Sequence, residues 1–121
     1  MNRLYIPRTS ETPMVDFRPS GVLWIAGNSY PLYTCEFFEE LSQWSLSFLA
    51  LQPPEVEIHL ALLYCNDTFA KYLLTLLKEF KNSLNLKIHL FWYGEEGDED
   101  MAFLREVLEE CLEMEFEFLE V

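Results

Sequence analysis

The segment from Leu62 to Leu77, LLYCNDTFAKYLLTLL, decides how the chain is read. An apolar run stops at Cys65. Three small polar residues follow, Asn66, Asp67 and Thr68, and apolar residues then return at Phe69, Leu73, Leu76 and Leu77. The run before the turn, VEIHLALLYC, has the length and apolar content of a mostly buried strand, and the spacing after it is that of one helix face. The segment is therefore a strand-to-helix transition. Asn, Asp and Thr all make good N-caps, because a side-chain oxygen can accept an amide hydrogen that the first turn leaves unpaired. Capping needs one such residue, and here three polar side chains stand at the C-terminal edge of a strand, where α/β proteins carry their functional loops. A helix N-terminus also tolerates added negative charge, so a hydroxyl at this turn is well placed to carry a phosphate.

Toward the N-terminus, Leu4–Ile6 is a short strand candidate, and MVDF (14–17) alternates with Val15 and Phe17 on one face. GVLWIAG (21–27) is an apolar strand, joined to MVDF through FRPSG, whose Pro19 and Gly21 punctuate a hairpin turn. Phe37, Leu41, Trp44, Phe48 and Leu51 step by four and three along a helix that QPP (52–54) must end. After the central segment, whose helical stripe runs on through Phe80 to Leu84, LKIHLFWY (86–93) reads as a strand. The acidic GEEGDED (94–100) opens a third helix with Met101, Leu104, Leu108, Cys111 and Leu112 inward, its first turn acidic as the helix dipole favours. FEFLEV (116–121) closes the chain as an alternating strand. The order β-β-β-α-β-α-β-α-β predicts an α/β fold: a mixed sheet with an N-terminal antiparallel hairpin, parallel right-handed βαβ crossovers and three helices. Trp44 and Phe80 are expected in the core. No repeat or linker interrupts residues 1–121, which read as one domain.

Composition narrows the function. Of 121 residues 50% are apolar and 16% aromatic, which argues for a packed core over disorder. The net charge of −13 disfavours nucleic acid and anionic membrane surfaces as partners. No apolar run approaches the ~20 residues of a membrane helix, and MNRLYIPRTSETP lacks the apolar core of a signal peptide. Cys35, Cys65 and Cys111 form an odd set without a C-x-x-C pair, which suits a reducing cytoplasm. Charge is uneven. Residues 94–121 hold twelve acids against Arg105 alone, whereas residues 69–83 hold Lys71, Lys78 and Lys81 against Glu79. The second helix is thus the one locally basic element, either a solvated face or a contact for acidic groups of a partner.

Signatures of catalysis are missing. With glycine only at 21, 27, 94 and 97, no phosphate-cradling loop exists, and neither G-x-S-x-G nor H-E-x-x-H occurs. His59 and His89 share the contexts EIH and KIH; strands in register would set Glu57 opposite Lys87 and bring the imidazoles close, as a cross-strand pair rather than a metal site. GEEGDED lacks the ligand spacing of an EF-hand. Neither metal nor cofactor is expected. A hydrolase using Cys65 or Asp67 would need an activating base that no motif supplies. A receiver-like domain phosphorylated on Asp67 would need an acidic pair after the first strand and a lysine after a late one, and LYIPRTS and WYGEEG supply neither.

Four segments in order carry a family resemblance. TPMVDF with GVLWIAGNSYP resembles the T-P-x-V-x-F and G-x-L-x-I-x-G-x-S-x-P hairpin of the SiaC family of bacterial regulatory phosphoproteins, small domains similar in fold to STAS anti-sigma factor antagonists. FFEELSQW resembles the family's first helix, YCNDTFAK its Y-F-N-[ST]-[ST]-x-x-K segment, and WYGEEGDEDM its W-Y-x-x-x-D-E-D-M segment. The resemblance implies a STAS-like, non-enzymatic partner switch in the cytoplasm. A serine/threonine kinase of the histidine-kinase-like ATPase type would phosphorylate it and a PP2C-type phosphatase would reverse this. The unphosphorylated form would bind an effector, a GGDEF diguanylate cyclase acting through c-di-GMP in the best-known case. Carried over, Thr68 is the phosphoacceptor, and Asn66, Asp67, Phe69 and Lys71 join it as the partner-binding segment. Asp67 stands where relatives often have Ser or Thr, leaving Thr68 the one hydroxyl in the turn, and Leu32 follows Pro31 where relatives often carry Glu. The alternative implied is a generic STAS-type antagonist whose partner is an anti-sigma kinase.

Overall fold

The computed structural model describes residues 1–29 and 34–121. Its elements follow the expected order: β1 (Leu4–Ile6), β2 (Met14–Arg18), β3 (Val22–Ser29), α1 (Thr34–Ala50), β4 (Glu55–Cys65), α2 (Asp67–Lys81), β5 (Lys87–Gly94), α3 (Glu99–Leu112) and β6 (Glu117–Glu120). One mixed sheet runs in the order β1-β2-β3-β4-β5-β6. The first two pairings are antiparallel and the last three parallel. The hairpin turn closes where the Gly21 amide donates to the Arg18 carbonyl at 2.9 Å. Gly21 sits at φ 96°, and a Cβ there would lie 3.0 Å from the Glu55 carbonyl oxygen, so no other residue fits without strain.

Because β3 to β6 advance in one direction, right-handed crossovers place all three helices on the same face of the sheet. That face is the core. Val15, Phe17, Leu23, Ile25, Val56, Ile58, Leu60, Leu62, Leu90 and Trp92 point into it from the strands, and Leu41, Phe48, Phe69, Leu73, Leu76, Leu77, Phe80, Leu108 and Leu112 meet them from the helices. The other face carries an aromatic stack. His59 lies between the rings of Trp24 (4.2 Å) and Phe91 (4.6 Å), its Nδ1 2.9 Å from the Tyr93 hydroxyl and its Nε2 3.1 Å from Glu57. On the same face Asp16 is buried beneath Arg3 and Arg18, which hold its carboxylate at 2.6 and 3.0 Å.

Several expectations are corrected in detail. The buried stripe of α1 is Phe38, Leu41, Ser45 and Phe48, rotated from the predicted one; Leu51 is exposed, beyond the helix end. Trp44 is half-buried at the margin, stacked on Phe48, with its indole N–H donating to the Asn2 carbonyl at 2.8 Å. Leu84 is 91% exposed, because α2 ends at its Asn82 C-cap and the chain turns through Asn85 at φ 60°. Cys111 is exposed, since Leu112 takes the inward direction of the last turn of α3. The histidines are not partners. Register pairs Glu55 with Lys87, Glu57 with His89 and His59 with Phe91, two residues off the arrangement that the EIH and KIH contexts suggest. Phe80, as expected, is buried.

Candidate functional site

The turn between β4 and α2 is built around Asn66. Its backbone is extended (φ −82°, ψ 171°), and its side-chain oxygen accepts the Phe69 amide hydrogen at 2.9 Å while its carbonyl accepts that of Ala70 at 3.1 Å. Asn66 is therefore the N-cap, and neither Asp67 nor Thr68 is needed for that task. Both are exposed. Helix geometry leaves the amides of Asp67 and Thr68 without an acceptor inside the helix. An anion at this turn would meet two free donors and the positive end of the helix dipole. Lys71 lies exposed one turn further on, within the i, i+3 reach of Thr68.

Phe69 is turned the other way. It is fully buried and packs edge-on against Phe38 at 4.9 Å between ring centroids. It anchors the turn from beneath, so four of the five residues singled out in the sequence reach the surface and this one does not. Cys65, at the strand end, is half-buried. Burial, aided by the Asp67 carboxylate, pushes its thiol up to about 11, which leaves it protonated near neutrality and a poor nucleophile.

Beside the turn lies an open cleft of about 640 Å³ between α2 and α3, lined by Cys65, Asn66, Asp67, Lys71, Asp100 and Phe103 among others. Apolar side chains cluster at its margin: Phe103 is 68% exposed, Tyr64 45% and Val107 37%. Large apolar groups gathered in solvent beside a polar turn form a patch of the kind that protein partners cover. These residues were not among the sequence candidates. Their signal was present, because Phe103 and Val107 are apolar residues of α3 that fall off its inward stripe of Met101, Leu104 and Leu108. A wider depression nearby, about 960 Å³, has Trp24, Tyr93 and Phe118 in its walls and Glu95, Glu96 and Asp98 at its rim. Among the described residues, no group of three His, Cys, Asp or Glu side chains could hold a metal ion. Nor is any helix there long and apolar enough to cross a membrane. Pro31 and Leu32 lie outside the described residues.

The fold and the family are shown by comparison with known proteins. The sequence profile of the SiaC family of regulatory phosphoproteins matches residues 6–121. An uncharacterised protein of Pseudomonas aeruginosa (strain UCBPP-PA14) is 32% identical over 114 residues, covering 91% of this chain and 90% of its own. The crystal structure of P. aeruginosa SiaC in complex with the diguanylate cyclase SiaD, which it activates, superposes with a TM-score of 0.89 at 28% identity, covering 98% of this chain and 99% of that one. A second SiaC structure from P. aeruginosa gives 0.85 at 28% identity, with both chains covered in full. With all but its first five residues matched by the profile, the chain belongs to the SiaC family of regulatory phosphoproteins.

Proposed function

We propose that this chain, acting through residues 1–121 as one unit, is a non-enzymatic partner switch that carries phosphate on Thr68. Unphosphorylated, it binds and regulates a GGDEF diguanylate cyclase in the cytoplasm and so controls c-di-GMP. A serine/threonine kinase of the histidine-kinase-like ATPase type adds the phosphate and a PP2C-type phosphatase removes it. The observation that carries this reading is the position of Thr68. It is an exposed hydroxyl in the first turn of α2, relieved of capping by Asn66, and its neighbours Asp67 and Lys71 line the cleft that carries the exposed apolar margin. The SiaC of P. aeruginosa, similar over nearly the whole chain, is found bound to a cyclase, and this supports the choice of effector.

Phosphorylation adds about −1.5 to −2 charges and three strong acceptor oxygens. The free amides of the turn and Lys71 accommodate that charge, so the fold survives it. An effector packed over the turn and the apolar margin does not, because the phosphate would have to be desolvated against Phe103 and Tyr64. Asp67 adds repulsion toward any acidic contact. The test is phosphosite mapping by mass spectrometry after incubation with the cognate kinase and ATP. One phosphate on Thr68, and none on Thr68→Ala, is expected. A phosphate mapped elsewhere, or one that persists in Thr68→Ala, overturns the assignment.

A further inference from the structure

Helices α1 and α2 lie side by side, and between them runs a groove of about 230 Å³ lined by Cys35, Phe38, Ser42, Tyr72, Leu76 and Glu79. It is smaller than the ~300–1,000 Å³ of ordinary ligand pockets and suits a single side chain. Its walls are aromatic: the Phe38 and Tyr72 rings stack at 5.5 Å with 16° between their planes. Its polar end is unfinished. Glu79 Oε1 accepts the Ser42 hydroxyl hydrogen at 2.8 Å, whereas Oε2 is shut off from water with no hydrogen-bond donor among the described residues. A carboxylate oxygen that has lost water and gained no donor is destabilising, and it gains most from a donor brought in from outside. None of Lys71, Lys78 and Lys81 of α2 reaches this oxygen: Lys71 lines the cleft on the α3 side, and Lys81 pairs with Glu113 at 3.7 Å.

We propose that this groove seats an arginine side chain presented by the effector, an inference that rests on the cyclase-binding reading above. Arginine fits for three reasons. Its planar fork can take up Glu79 Oε2 once the terminal carboxylate rotates about its soft torsion. Its guanidinium stacks on aromatic faces, which a lysine ammonium does not match. The wall also holds Glu39, on a chain of net charge −13, so the field draws a cation and repels an acid. The α2 wall of the groove begins at Tyr72, one helical turn after Thr68. Thr68, Tyr72, Thr75, Leu76 and Glu79 step by four, three, one and three along one side of α2. A segment that leaves the groove at Tyr72 and runs on toward the start of α2 reaches Thr68 one turn away. The eleven-residue separation sets Glu79 about 16 Å along the axis from Thr68. A phosphate on Thr68 thus acts at one end of the contact without supplying the arginine with a substitute partner.

The cysteines supply the test. Cys35 lines the groove and Cys111 is exposed on α3, away from it, so each reports a different surface. Wild-type protein is treated with N-ethylmaleimide, with and without the purified diguanylate cyclase of the same organism, and adducts are followed residue by residue. In parallel, the affinity of the cyclase is measured for wild type, Glu79→Gln and the exposed-site control Glu115→Gln. The expected result is at least tenfold protection of Cys35, unchanged labelling of Cys111, and at least tenfold weaker binding by Glu79→Gln alone. A complex that forms with Cys35 unprotected, or that Glu79→Gln forms as tightly as wild type, overturns the groove assignment and leaves the cyclase reading standing. Absence of any complex with wild type brings down both. Should Glu79→Gln fail to fold, the labelling of wild type decides alone.

Discussion

The side-chain oxygen of Asn66 accepts the amide hydrogen of Phe69 at 2.9 Å, and this bond divides the labour of the turn. Asn66 caps the helix, Phe69 fixes it to the core, and Thr68 between them is left facing solvent. Removing the cap with Asn66→Ala should lower stability by about 1 kcal/mol. Thr68→Ala, which removes an exposed hydroxyl, should stay within about 0.5 kcal/mol of wild type. Urea denaturation of both variants checks the division. Equal losses would show that Thr68 shares the capping role.

The core makes a second contrast. Phe80 is 1% exposed, so Phe80→Ala should destabilise by about 3–5 kcal/mol. Trp44→Ala should cost less, despite the larger side chain, because the indole is half-buried at the edge of α1. Chemical denaturation of the two variants ranks them, and a larger loss at Trp44 would contradict the packing described.

Acid should reach the molecule through Asp16. Hydrogen bonds from Arg3, then from Arg18, hold its carboxyl below the usual carboxylate range, against the opposing effect of burial. A pKa depressed in the folded state contributes stability that is present above the unfolded value near 4 and is lost as pH falls through the lower folded value. Wild type should therefore lose stability below about pH 4 more steeply than Asp16→Asn, which has no proton to take up there. Denaturant titrations from pH 7 to pH 2.5 measure this, and parallel slopes would remove Asp16 as the source.

The alternation of strand and helical periods made the element order and the mixed sheet legible without coordinates, because periodicity is local. What escaped was set by tertiary packing. The β4–β5 register, which pairs Glu57 with His89 and not His59 with His89, depends on how α2 and its following turn return the chain. Leu84 obeys the α2 stripe in sequence but lies past Asn82, where the helix has ended. The Thr68 turn was visible because the polar run is contiguous. Phe103 stood out only as an apolar residue off the α3 stripe; that it meets this turn across the cleft, and that Ser42 pairs with Glu79, were not visible, since one comes from the next helix and the other joins residues 37 apart.

The central claim is that phosphate on Thr68 disengages the effector, and the most direct measurement is calorimetric titration of the purified cyclase with the two forms of the protein. The Thr68-phosphorylated form is made with the cognate kinase, and the unphosphorylated form is recovered from it with a PP2C-type phosphatase, so both share one preparation. At least tenfold weaker binding of the phosphorylated form is predicted, a change that requires only about 1.4 kcal/mol, with Thr68→Ala binding like the unphosphorylated protein. Equal affinity of the two forms, or tighter binding by the phosphorylated one, would contradict the switch.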